Sequence, residues 1–296
     1  ADSTKRAYKS DWERYEAWCD SFGMVAIPAR PEAIAIYMAS LVDLGLSVAT
    51  IERALAAIAK AHEVAKEKFD RKHDFIRQAL MGIKRELGEH QEQVDAVMPA
   101  DLKKMIEAMP KGARHRLRNL RNRAMLTLGL SGGFRRSELV SLDVEDLDRT
   151  EDGYRVFLAK SKTDQTGAGR EIGIPYGGTP ITCPVRSIDR WLDVASLDSG
   201  ALLCGVSYDG MRVLLGHRLN DKTIARTVKR AALRAGIEGR FAGHSLRAGL
   251  VTAAARSGKS VDSIQAQTGH KSLDMIMRYI RREGLFDDNA AAGIGL

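Results

Sequence analysis

The sequence predicts a mainly α protein with a small β-hairpin, an α+β chain in two domains. Three observations lead there. Apolar residues recur every three to four positions through most of the chain, and glycines or prolines close those runs. Only two stretches, both between 154 and 175, read as strands. A polar, aperiodic segment, EHQEQVDAV at 89–97, separates portions of opposite charge. Residues 1–97 hold 14 Lys and Arg against 16 Asp and Glu, whereas residues 98–296 hold 32 against 22. The expected division is an N-terminal helical domain at 1–90, a linker at 91–98 and a second domain at 99–296.

The first predicted helix runs from Thr4 to Phe22, with Tyr8, Trp12, Tyr15 and Trp18 on one face. Pro31 suits a helix start and leads into Ile34, Tyr37, Met38 and Leu41 before Gly45 ends the run. Ser47 is a plausible cap for the next helix, whose apolar face holds Ile51, Leu55, Ile58 and His62. A fourth helix spans Asp74 to Leu87 and stops at Gly88. The second portion opens with a helix after Pro99 that ends before Pro110. Lys111 to Arg123 then carries six Lys and Arg and no acid, within a long helix that stops at Ser131-Gly132-Gly133. Strands at Tyr154–Ala159 and Glu171–Pro175 flank a loop at Lys160–Arg170 rich in Asp and Gly. No element is assigned between Tyr176 and Leu219. Four more helices follow, at Asp221–Ala235, Ser245–Ser257, Ser260–Thr268 and Ser272–Ile280, with Gly236, Gly258 and Gly269 as stops.

Composition bounds the function. With 296 residues, 44% of them hydrophobic and 28% charged, the chain reads as globular rather than disordered. Its apolar runs fall short of the roughly 18 residues that span a bilayer, and the charged first residues show no secretory signal. Cys19, Cys183 and Cys204 are odd in number and far apart, which suits neither a disulfide framework nor a zinc site and fits a reducing cytoplasm. The net charge of +8 lies in the second portion and points to a polyanion, for which nucleic acid is the usual case.

The chemistry concentrates near the end. Gly243-His244-Ser245-Leu246-Arg247 is followed by Gly269-His270 and then by Tyr279, close to Arg278, Arg281 and Arg282. His244 and Arg247, three positions apart at a helix start, face one point where a phosphate would also meet the positive end of the helix. Upstream, Arg135 lies three residues before Glu138, so one turn of helix lets the carboxylate hold the guanidinium. Lys162, in Lys160-Ser161-Lys162-Thr163, sits on the hairpin loop, where an ammonium could protonate a leaving oxygen. Each piece alone has a plainer explanation: a surface ion pair, a solvated lysine, a local cap, or a core tyrosine beside Ile276 and Ile280.

Together, and in this order, they resemble the tyrosine recombinase (phage integrase) family over nearly the whole chain. The N-terminal portion resembles that of Cre-like members around Trp18-Cys19, Leu44-Gly45-Leu46 and Thr50-Ile51. At His270 the family accepts His or Trp. The resemblance implies a helical core-binding domain and a catalytic domain that form a C-shaped clamp on DNA. It implies a site-specific DNA recombinase with Tyr279 as nucleophile, and with no metal or nucleotide cofactor. The product of attack is a 3′-phosphotyrosyl link and a 5′-hydroxyl. Arg135 and Arg247 would hold the non-bridging oxygens, and His270 would add a hydrogen bond. His244 would be the base, Lys162 the acid, and Glu138 the support of Arg135.

Helices beginning near Thr4, near Thr50 and after Asn220 are expected in the major groove. Thr4, Arg6, Arg53, Asn220 and Lys222 are the candidate base contacts, with Arg281, Arg282 and the 111–123 run as backbone contacts. The partners implied are duplex DNA, a dimer per site and a tetramer of four protomers on two sites, on nucleoid or plasmid DNA. The apolar tail after Tyr279 (Leu285, Phe286 and 290–296) suits docking in a neighbouring subunit. Alternatives are a type IB topoisomerase-like enzyme, a telomere-resolving relative, or a DNA-binding protein with a vestigial site.

Overall fold

In the computed structural model the described residues are 2–88, 94–159 and 169–283, with side chains left aside at 2, 3, 278 and 280–283. The chain divides into two compact units, 1–92 and 93–296.

The first unit is helical: α1 (Asp2–Ser21), α2 (Pro31–Asp43), α3 (Val48–Ala65) and α4 (Asp74–Leu87). α1 packs on α3 and α2 on α4, because the apolar stripes of all four face one core built on Tyr15, Tyr37, Met38, Ile51, Ile58 and Ile76. The Tyr15 and Tyr37 rings meet edge to face at 4.9 Å. His62 is buried there as a structural residue: its Nδ1 lies 2.8 Å from the Ile58 carbonyl, and its Nε2 accepts from the Ala29 amide at 2.9 Å. Gly45, at φ 72, supplies the left-handed turn that ends α2.

The second unit begins before the first predicted helix. The Asp95 amide donates to the Arg240 carbonyl at 3.0 Å and the Val97 amide to the Ser245 carbonyl at 2.9 Å, and Val97 is fully buried. The carboxyl half of the segment expected as linker thus joins this unit. The unit's helices are α5 (Pro99–Glu107), α6 (Ala113–Gly132), α7 (Arg136–Ser141), α8 (Pro184–Ala195), α9 (Asp221–Arg234), α10 (Ser245–Arg256), α11 (Val261–Thr268) and α12 (Leu273–Glu283). α6 is the central post. It packs on α8 and α10, and Ala124 to Leu130 are buried all round.

The sheet is larger than the expected hairpin. β1 (Leu147–Thr150), β2 (Gly153–Leu158) and β3 (Arg170–Pro175) form an antiparallel meander in which Tyr154 pairs with Ile174 and Leu158 with Arg170. A second pair, β4 (Cys204–Val206) and β5 (Val213–Arg218), is separate. β5 is exposed along nearly its whole length, so no alternation marked it in the sequence. The three cysteines are buried thiols. No described helix is long and apolar enough to cross a membrane.

Candidate active site

Two glycine stops build the floor of the site. Gly133, at φ 59, ends α6, and Gly269, at φ 64, ends α11. Both need the left-handed region, which a side chain disfavours. A Cβ on Gly133 would also come within 2.7 Å of Leu250, and one on Gly269 within 3.0 Å of the Arg170 guanidinium. The chain reversals turn the carbonyls of Gly133, Thr268 and Gly269 toward two guanidiniums.

Arg247, on the first turn of α10, is only 5% exposed. Its Nη1 donates to Gly133 O at 2.6 Å and to Thr268 O at 2.7 Å, and its Nε donates to His270 Nε2 at 3.3 Å. Among the described residues, its Nη2 is buried with no hydrogen-bond partner. Burial, then the Arg135 charge, lowers the Arg247 pKa to about 10, so it stays cationic at neutral pH. Only neutral atoms bond it, and the charge is held but not cancelled.

Arg135 caps α7. Its Nη1 donates to Glu138 Oε1 at 2.6 Å, its amide to Glu138 Oε2 at 2.8 Å, and its Nη2 to Gly269 O at 3.3 Å. Glu138 is 2% exposed. The helical-turn pairing expected from Arg-x-x-Glu is therefore a buried one. A third arginine, at the end of the loop expected at Lys160–Arg170, completes the group. Arg170 opens β3, donates to Gln267 O at 2.8 Å and Ala266 O at 3.3 Å, and lies 3.7 Å from Glu138. Its signal in the sequence was position: it begins the strand that returns from the Lys162 loop. Three guanidiniums thus surround one carboxylate.

His270 is 5% exposed. Arginine has no acceptor, so Nε2 must accept from Arg247 and the proton sits on Nδ1, 2.7 Å from Thr268 Oγ1. Thr268 Oγ1 in turn donates to Ile264 O at 2.6 Å. Burial first, then the charges of Arg247, Arg135 and Arg170, presses His270 down to about 4. His244 is exposed at the start of α10. Tyr279, on α12, is half-buried against Val251, Ile264 and Ile276, and interacts electrostatically with Arg247.

The structure brings Arg135, Glu138, Arg247, His270 and Tyr279 into one region around α10 to α12. Lys162 and the tail at 284–296 lie outside the described residues, and the Arg281 and Arg282 side chains are not described. Arg136 is directed elsewhere. It lies 3.8 Å from Asp221, and its stem crosses Gly243, where a Cβ would come within 1.9 Å of it.

The candidate DNA contacts differ among themselves. Thr4, Arg6 and Lys222 are exposed. Arg53, expected to read bases, is exposed and donates two hydrogen bonds of 2.7 and 3.1 Å to the buried Asp11. Asn220 caps α9 by accepting from the Lys222 amide at 2.7 Å, which engages its side-chain oxygen.

Residues 95–284 match the model of the phage integrase family. A curated relative, the integrase/recombinase xerD homolog of Selenomonas ruminantium, is 36% identical over 98% of this chain and 84% of its own length. The chain belongs to the phage integrase family. Members of this family, the tyrosine recombinases, are DNA breaking and rejoining enzymes. The family resemblance extends to recombinase cre of Escherichia phage P1, 25% identical over 90% of this chain and 80% of that protein. Among solved structures, a lambda integrase dimer bound to a COC′ core site shares the fold with a TM-score of 0.64 and 16% identity, over 95% of this chain and 89% of that one.

Proposed function

We propose that the chain is a site-specific recombinase that uses Tyr279 as its nucleophile and exchanges DNA strands between two target sites. The observation that carries this reading is Arg247. Its Nη2 is a buried cationic donor with no partner among the described residues, beside Arg135 and His270, in a cluster with more guanidiniums than carboxylates. Such donors stabilise the charge that develops on a phosphoryl group.

Tyr279 Oη attacks the phosphorus, the P–O5′ bond breaks, and a 3′-phosphotyrosyl ester forms. The phenol proton passes to His244 and the leaving O5′ takes one from Lys162. A 5′-hydroxyl from the partner duplex then reverses these steps, and the ester conserves the energy of the original bond. Arg135 and Arg247 hold the non-bridging oxygens, and Glu138 positions Arg135. His270 Nε2 accepts from Arg247 in this structure, so its hydrogen bond to phosphate requires that Arg247 turn to the phosphate and that Nε2 gain a proton.

The two units would close on duplex DNA as a clamp, with Thr4, Arg6, Lys222, Arg281 and Arg282 on the nucleic acid. Two protomers per site and four per synapse complete the assembly, on DNA of the nucleoid or a plasmid. The relatives' names, both recombinases, favour strand exchange over a topoisomerase reading.

The test is covalent capture. Target sequences are selected from random duplexes by their attachment to the wild-type chain. On these, Tyr279→Phe is expected to bind with unchanged affinity and to give no adduct on a denaturing gel. An adduct from that variant would overturn the assignment.

A further inference from the structure

A second cluster of arginines lies in the same unit, away from the site just described. A cavity of about 390 Å³ opens between α5, α6 and α9, and its lining shares no residue with the catalytic cluster. Arg118 and Arg121 reach it from α6, Arg226, Arg230 and Arg234 from α9, and Tyr208 from the β4–β5 turn. Spacings of four place the three α9 arginines on one stripe of that helix.

Charge balance sets this cavity apart. Among the described residues, no carboxylate pairs with any of the five guanidiniums. Their bonds go to neutral groups: Arg118 donates to Ser207 O at 3.1 Å and Arg226 to Thr223 Oγ1 at 3.1 Å. Arg121 is 6% exposed, yet it donates only to Asn122 Oδ1 at 2.8 and 3.2 Å and to Cys204 O at 3.2 Å. A buried cation without a counter-charge is costly, and the neighbouring Arg118 adds repulsion. The Tyr208 ring stands fully exposed at the rim.

We infer that this cavity is a second phosphoanion site of the chain, one that takes a multiply charged phosphate group. Guanidinium forks match phosphate oxygens in pairs, and a ligand with a single charge would offset only one of five cations. Two sources share this chemistry: a free polyphosphate such as that of a nucleotide, and successive phosphates of a duplex backbone. The site stands whether or not Tyr279 is the nucleophile; only its duplex source rests on the recombinase reading.

The test uses the full chain and a double variant, Arg230→Gln with Arg234→Gln. Both residues are exposed and neither makes a hydrogen bond or ion pair among the described residues, so the fold is expected to survive. Sodium tripolyphosphate is compared with sodium chloride of equal ionic strength in thermal unfolding. The wild-type midpoint is expected to rise by about 3 °C or more at saturating ligand. The double variant should lose that rise, and Lys229→Gln, exposed on α9 but off the cavity, should keep it. Any binding at the catalytic cluster would survive in the double variant.

In parallel, duplex affinity is measured at stepped salt. Loss of two phosphate contacts would flatten the slope of log affinity against log salt by roughly 2. A flattened slope supports the site with the duplex backbone as its source. A lost thermal rise with an unchanged slope supports it with a free polyphosphate as source. A thermal response and a salt slope both unaltered by the double substitution would overturn the proposal.

Discussion

The second unit holds two arginine clusters built on opposite terms. Around Gly133 and Gly269, three guanidiniums gather about one buried carboxylate, and backbone carbonyls accept from Arg135, Arg170 and Arg247 while Arg247 Nη2 is left over among the described residues. Among the described residues, the five guanidiniums of the α5–α6–α9 cavity share none. In the first cluster the carboxylate fixes Arg135 in place while leaving net positive charge. In the second, neutral acceptors position the buried Arg121 and leave its charge unopposed. The difference teaches that a carboxylate among guanidiniums fixes their positions while offsetting part of their charge. Where bond geometry at a reacting phosphorus matters, rotamers must be locked; where an anion need only be held, they need not be.

Breaking the ordered cluster at its most constrained member has the largest expected effect. Arg247→Lys keeps the charge but cannot reach Gly133 O, Thr268 O and His270 together with a planar fork. Adduct formation in a single turnover is expected to fall about a thousandfold, the scale for losing a preorganised donor, with duplex binding retained. A fall of less than about tenfold would mean that charge alone suffices there. Glu138→Gln comes next. It leaves Arg135 and Arg170 facing each other without a carboxylate, and breaking a buried pair costs about 3 kcal/mol. Denaturant unfolding should report that loss. The same substitution should slow adduct formation far less than Arg247→Lys, because the guanidiniums remain.

How much of this was legible in the sequence follows from the range of the forces involved. Helices such as Asp74–Leu87 are set by local periodicity and a glycine stop, and they appear where periodicity placed them. Arg135 and Glu138 are three residues apart, so their pairing was visible too. The role of Arg170 was not, since its partners at Ala266 and Gln267 are almost a hundred residues away. The bond from Arg53 to Asp11 was not legible either, because Asp11 lies on another helix. β1, β4, β5 and α8 went unassigned for different reasons. β5 lacks alternation because it is exposed, whereas α8 does carry an apolar face with Val185, Ile188 and Trp191 after Pro184.

His270 gives a smaller and pH-dependent test of the ordered cluster. Its pKa is about 4 in the fold, against about 6.5 in an unfolded chain. As pH falls, the unfolded chain takes up this proton first. The neutral imidazole therefore contributes stability that is complete above about pH 6.5 and is lost as pH falls toward 4. By pH 4.5 the loss should approach about 2 kcal/mol. Subtracting the unfolding free energy of His270→Gln from that of the wild type, between pH 4.5 and 7.5, isolates it from the other titrating groups. A difference that stays flat with pH would show that the fold does not hold this ring neutral.

The smallest expected effect falls on the residue next to the cluster. Arg136 follows Arg135 directly, yet α7 turns it toward Asp221 at 3.8 Å, with both side chains partly exposed. A pair of that kind contributes less than about 1 kcal/mol. Its stem does lie across Gly243, so some packing goes with it. Arg136→Ala is expected to lower unfolding stability by about 0.5 kcal/mol and to leave adduct formation within about threefold of wild type. A fall approaching that of Arg247→Lys would mean that the side chain leaves Asp221 for the phosphate during reaction. The gap of roughly three-hundredfold expected between these two arginines is therefore a direct measure of how far fixed hydrogen bonds, rather than mere proximity, select the guanidinium that acts.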